Sequence, residues 1–164
     1  MTWQPPDPRD PGDSAGRYRD LCQSLRGLLA GERDLIANAA NFSALVFHLL
    51  PDLNWAGWYF LRGPELVLGP FQGRPACVRI ALGRGVCGTA AQQGVSIVVP
   101  DVHAFAGHIA CDAASRSELV VPLFKDGTLL GVFDLDSPLP GRFDASDQQG
   151  IEGALQLLSE GTQA

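Results

Sequence analysis

The chain has 164 residues, 46% of them apolar, and a formal net charge of −6. That length supports one domain with a single core, and the acidic balance argues against nucleic acid and anionic membrane surfaces as partners. No apolar run reaches the roughly 18 residues of a membrane span. The opening MTWQPPDPRDPGD lacks a basic stretch followed by an apolar one, so no secretory signal is expected and the cytoplasm is the expected compartment.

Residues 1–14, rich in Pro, Asp and Gly, predict a mobile N-terminal arm ahead of one domain over residues 15–164. Tyr18, Leu21, Cys22, Leu25, Leu28 and Leu29 then recur at helical spacing. A second helix is predicted over 32–50, stopped by Pro51. The period changes next. Residues 55–61 and 66–71 are short β-prone runs split by Arg62, Gly63 and Pro64, and 78–82 reads as a third strand. Residues 85–93 predict a short helix closed by Gly94. A brief strand at 97–99 leads into the polar stretch 101–117, which has no clear period and is long enough to suggest a functional loop. Residues 118–124 and 129–136 predict a hairpin across Asp126 and Gly127. A last helix follows Phe143, capped by Asp144 or Ser146. This order predicts an α+β domain. Its sheet is mostly antiparallel, with the N- and C-terminal helices packed on one face and loops forming a pocket on the other.

Cysteine carries the strongest chemical signal. Cys22 falls on the apolar stripe of the first helix and reads as a small buried hydrophobe. Cys77, Cys87 and Cys111 sit at a strand edge, near a helix start and in the long loop, where no apolar period explains them. Stable structural disulfides are rare in the cytosol, so these three point to thiol chemistry. The helix N-terminus near Cys87 favours a thiolate there. A zinc site is the first rival, with His103 and His108 completing a set with two cysteines. The cysteine separations of 10 and 24 residues offer no close chelating pair.

Asp134 and Asp136 lie two residues apart in VFDLDSP, so a strand puts both on one sheet face. Glu118 opens the partner strand of the hairpin, which brings three carboxyls to one end. A solvated, charge-blunted edge would also read this way. Crowded carboxylates, however, need protons or a cation to offset their repulsion, and a substrate ammonium would serve. Trp55 and Tyr59 share one face of the first strand and Trp58 takes the other. Core packing is the plain reading of the aromatics, and an apolar wall for a small ligand is the sharper one.

The runs NWAGWYF (54–60), LVLGPFQGRPACVRI (66–80), GRGVCGTAA (83–91), VPDVHAFAGHIACDAASRSELVVPL (99–123), GVFDLDSP (131–138) and GRFD (141–144) closely resemble the free methionine-(R)-sulfoxide reductases. That family is built on a single GAF domain. The resemblance implies that free L-methionine-(R)-sulfoxide is the substrate. It implies Cys111 as the attacking cysteine, Cys77 as the resolving cysteine that forms a disulfide with it, and Cys87 as an accessory in recycling. Glu118, Asp134 and Asp136 match the carboxylates that hold the substrate and polarise the sulfoxide, with Glu118 and Asp136 assigned to catalysis and Asp134 to binding. Trp55 and Tyr59 match the wall that receives the methyl group. No metal, flavin or nicotinamide is implied; the electrons would come from thioredoxin or another dithiol. GAF domains pair through helices, here 15–50 and 144–160, so a homodimer is expected. The arm and Cys22 match nothing in the pattern. A GAF ligand-binding or redox-sensing module is the alternative function.

Overall fold

The computed structural model describes residues 13–164. The expected arm therefore lies outside the described residues, apart from its last two positions. Asp13 is the N-cap of α1 (Ser14–Leu29), its carboxylate accepting from the Gly16 N–H at 2.7 Å. This cap explains why the helix opens where the Pro-rich composition ends. Asp34 plays the same part for α2 (Leu35–Leu49), accepting from the Ala37 N–H. The helix therefore starts later than its apolar period alone predicts.

The strands are β1 (Trp55–Arg62), β2 (Glu65–Gly73), β3 (Arg79–Ala81), β4 (Ile97–Val99), β5 (Ser117–Lys125) and β6 (Thr128–Ser137). They form one sheet in the order β3-β2-β1-β6-β5-β4, every neighbouring pair antiparallel. The β5–β6 turn works because Asp126 and Gly127 both take positive φ, 50° and 77°, the primed geometry that matches strand twist. Between β3 and β4 lies α3 (Gly85–Gln93), closed by Gly94 in the left-handed region at φ 67°. A single 3-10 turn, Val102–Ala104, sits at the start of the long loop. The last helix, α4 (Ala145–Gly161), opens on a reciprocal capping box between Asp144 and Asp147.

Strand alternation divides the core in two. On one face, α1, α2 and α4 cover Trp58, Phe60, Leu119, Val121, Phe133 and Leu135. Trp58 anchors α2 there, its indole N–H donating to the Ala39 carbonyl at 3.1 Å. On the other face, Trp55, Tyr59, Val120 and Val132 pack with Val86, Cys87, Ala90 and Ala91 of α3. The helices at the chain ends thus cover one face, as the sequence predicts. The pocket face is closed by α3 as well as by loops. Cys22 is half-buried against the first cluster, less enclosed than its helical stripe suggests, and on the face away from the pocket. Among the described residues, no helix is long and apolar enough to cross a membrane.

Candidate active site

Two cross-strand rows build the floor of the site. Trp55 of β1 faces Asp136 of β6, which faces Glu118 of β5, and Glu118 faces Val99 of β4. In the next row Gly57 faces Asp134, which faces Val120. The period of two therefore does place Asp134 and Asp136 on one face, and the hairpin register brings Glu118 beside them. These are not solvated edge charges. Glu118 and Asp134 are buried, and Asp136 keeps only partial exposure.

Burial is the first consequence for their chemistry. It pushes all three carboxyls well above the ordinary carboxylate range, and their mutual repulsion pushes them further: Asp136 acts on Glu118, Glu118 on Asp134, and Asp134 with Asp112 on Asp136. The site thus favours the protonated form of each carboxyl. Asp134 is hydrogen-bonded within the cluster, to Glu118 and Cys87, and its buried Oδ1, which has no further partner, is an oxygen that a bound ammonium group would satisfy.

Cys87 is in the first turn of α3, and its helix N-terminus predicts a thiolate. The structure corrects this. Cys87 is 3% exposed, packed in the second core cluster, and its thiol donates towards Glu118 Oε1 at 4.0 Å. Burial raises its pKa well above the ordinary value, and Asp134, Glu118 and Asp136 raise it again. Desolvation next to carboxyls outweighs the helix dipole, which contributes about 1 kcal/mol or less in most settings. Cys87 does have an apolar setting, supplied by β-strands distant in sequence.

Cys77 and Cys111 are joined by a disulfide with Cα atoms 5.8 Å apart. Cys111 is exposed and Cys77 half-buried, so the bond lies within reach of solvent. The two aromatics do more than line the cavity. The Trp55 indole donates to the Arg74 carbonyl at 3.0 Å and the Tyr59 hydroxyl to the Cys77 carbonyl at 2.9 Å. They stack on each other, ring centroids 5.9 Å apart, and so hold the segment that carries Cys77. The Cys111 loop is tied from its far side. Asn54 donates to Asp112 Oδ2 and to Ser115 Oγ, and Arg74 approaches Asp112 at 3.8 Å. Asn54 and Arg74 went unread in the sequence because their partners are separated from them by long stretches of chain. His108, read in the sequence only as a possible zinc ligand, lies over the carboxyls, Nε2 3.3 Å from Glu118 Oε2.

Trp55, Tyr59, Cys87, His108, Cys111 and the three carboxyls line one cavity with Ile109 and the α3 N-terminus, and the free space inside it is about 30 Å³, room for about one water. The zinc set built from His103, His108 and two cysteines is not assembled. His103 is exposed on the 3-10 turn and does not line the cavity, and two of its cysteines are spent in the disulfide. Cys87, Glu118 and Asp134 do bring one potential ligand atom each within 4.8 Å of one another. Burial raises the pKa of all three well above the ordinary values, which works against the deprotonated ligands a metal needs.

A six-stranded antiparallel sheet, helices on one face and a loop-roofed pocket on the other define a GAF domain, and the GAF domain family matches residues 17–160. The chain is 53% identical to the free methionine-R-sulfoxide reductase of Escherichia coli (strain K12) over 143 residues, 87% of each chain. The chain belongs to the free methionine-R-sulfoxide reductase family of GAF domains. Two solved structures extend the comparison. The free methionine-R-sulfoxide reductase of Neisseria meningitidis, in complex with its substrate, superposes with a TM-score of 0.86 at 39% identity, over 98% of this chain and 93% of that one. A protein from Burkholderia vietnamiensis described as a GAF sensor superposes with a TM-score of 0.88 at 62% identity, over 91% and 95%.

Proposed function

We propose that the protein reduces free L-methionine-(R)-sulfoxide to L-methionine with cysteine thiols as the reductant. The observation that carries this reading is the accessible Cys77–Cys111 disulfide set beside a buried cluster of carboxyls whose pKa values burial raises. A sulfoxide sulfur becomes electrophilic when its oxygen is protonated, and a carboxyl that keeps its proton at neutral pH can do this. Glu118, at the centre of the cluster, is the acid in this reading, with Asp136 beside it. Asp134, with its buried Oδ1, holds the substrate ammonium. Trp55 and Tyr59 receive the S-methyl group.

The electrons balance as follows. The Cys111 thiolate attacks the sulfoxide sulfur while a proton from Glu118 goes to the oxygen; the substrate S–O bond then breaks as the hydroxyl passes to the Cys111 sulfur, the transient sulfur–sulfur bond breaks, methionine leaves, and Cys111 is left as a sulfenic acid. The Cys77 thiol then attacks the Cys111 sulfur, water leaves, and the disulfide forms. An external dithiol protein of the thioredoxin type returns two electrons by exchange at this bond. Cys87, buried and protonated, stands behind that pair as an accessory thiol. The free amino acid is favoured because the small enclosed cavity has an acidic floor suited to an ammonium group, which a residue within a protein lacks.

The test uses pre-reduced protein with the R and S epimers of free and peptide-bound methionine sulfoxide, scoring methionine formed. Turnover confined to the free R epimer, and lowered by at least about three orders of magnitude in Cys111→Ser, is the expected result. The Burkholderia relative favours one other reading, a ligand-sensing GAF module. Saturable binding of a small ligand with no methionine produced would support that reading instead.

A further inference from the structure

A buried acid that gives up its proton in each turnover needs a way to regain it. Glu118 has few routes. Its side chain is 7% exposed, and Asp136 directly across on β6 and Asp134 diagonal to it have their pKa values raised by the same burial. Cys87, which donates towards Oε1, is enclosed and already protonated. Asp112 at the rim is held as an anion by the Ala114 N–H, Asn54 and Arg74. Arg74 and Arg84, also lining the cavity, carry fixed positive charge.

His108 is different on each count. Its Nε2 is 3.3 Å from the buried Glu118 Oε2, so the pair is in contact, though not aligned as a hydrogen bond. Catalytic contacts commonly tighten only when substrate is bound. The imidazole is 15% exposed, about twice Glu118, so it spans from the buried acid to the solvent side. Among the described residues that line the cavity, it is the side chain whose ordinary pKa lies nearest neutrality. Burial lowers that pKa while it raises Glu118. Both shifts favour the same state, neutral imidazole against neutral acid, with the proton resting on Glu118. The backbone turn in which the His108 N–H donates to the Phe105 carbonyl at 3.2 Å sets the ring's position, three residues before Cys111.

We infer that His108 is the positioning and proton-transfer residue through which Glu118 regains its proton during sulfoxide reduction. The inference rests on the reductase reading above. After Glu118 has protonated the sulfoxide oxygen it is left as a carboxylate. His108 takes up a proton at its solvent side and releases one from Nε2 to Oε2, restoring the acid. The thiol proton of Cys111, lost to solvent when the thiolate forms, balances the one returned, so the reduction step consumes no net proton.

The experiment is a single turnover of pre-reduced protein mixed with free methionine-(R)-sulfoxide, followed over time by the infrared carboxylic-acid stretch of Glu118, which falls as the sulfoxide oxygen takes the proton and returns as the acid is restored. In His108→Gln the return is expected to be about tenfold slower or more, with the sulfoxide concentration for half-maximal rate moving less than about twofold. In His108→Ala added imidazole is expected to recover part of the rate of return. A return at the wild-type rate in His108→Gln, or a slow return in His108→Ala that imidazole does not help, overturns the inference. A second arm needs no turnover. The infrared carboxylic-acid stretch of Glu118, identified by its loss in Glu118→Gln, is expected to shift in His108→Gln; an unmoved band also overturns it. Wild-type protein with no turnover of any sulfoxide overturns the reductase reading instead, and the infrared band then decides the His108–Glu118 pair alone.

Discussion

Each thiol in this protein has its reactivity decided by what surrounds it. Cys111 and Cys87 belong to one site, yet one is exposed in a loop and the other enclosed by α3 and three carboxyls. Cys87 is therefore expected to resist alkylation in the native oxidised protein while Cys22, half-buried on the helix face, reacts first. Mass spectrometry after timed iodoacetamide treatment checks this. The carboxyls carry a stability cost with a definite sign. Folding raises the pKa of Asp134, so the native protein holds a proton that the unfolded chain releases above its ordinary value of about 4. That contribution is present at low pH and is lost as pH rises from the unfolded value towards the folded one. Asp134→Asn is accordingly expected to stabilise the protein by about 0.5–2 kcal/mol at pH 7. The gain should shrink towards pH 4, as read by urea melts at both pH values, and substrate binding should weaken. A gain independent of pH would point to packing rather than ionisation.

At the scale of elements, the site depends on how β1, β5, β6 and α3 are placed. Gly131 of β6 faces Phe60 of β1, and a Cβ there would be driven into the Tyr59 carbonyl, so glycine lets the two strands close up. Gly88 serves α3 likewise: a Cβ would strike the Ala81 carbonyl of β3, so its absence seats the helix, and Cys87 with it, against the sheet. The capping box of α4 acts further away. Asp144 accepts from the Ser146 and Asp147 N–H groups at the start of α4, and Asp147 in turn accepts from the Tyr18 hydroxyl of α1 at 2.7 Å. Asp144→Ala is expected to lower stability by about 1 kcal/mol, measured by thermal or denaturant melts, with the reduction step unchanged because α4 covers the opposite face of the sheet.

For the molecule as a whole, the disulfide joins two segments 34 residues apart in sequence. Closing a loop of that length constrains the unfolded chain by about 3–4 kcal/mol in the chain-entropy model. The oxidised protein is therefore expected to unfold at a higher denaturant concentration than the same protein in excess dithiothreitol. The bond also ties the Cys111 loop to the Cys77 segment beside the pocket, whose free space is about 30 Å³. Calorimetry should then show free methionine-(R)-sulfoxide binding the reduced Cys111→Ser protein more tightly, by about tenfold or more, than the oxidised wild type. Equal affinities would mean that the loop does not close the site.

Local rules reach far in this chain. The period of two settled that Asp134 and Asp136 share a face. The Asp126–Gly127 turn placed Glu118 at their end of the sheet, and Gly94 ended α3 where it stands. These outcomes depend on backbone conformation within a few residues, which side-chain type controls directly. The family resemblance carried the cysteine pairing that spacing alone left open. Only the tertiary structure decided the charge state of the site. Cys87 looked like a thiolate from its helix position and is instead a buried thiol. His108 looked like a spare zinc ligand and lies 3.3 Å from Glu118. Both outcomes come from desolvation and from charges on strands far away in the chain, terms that depend on three-dimensional distance and have no counterpart in sequence spacing.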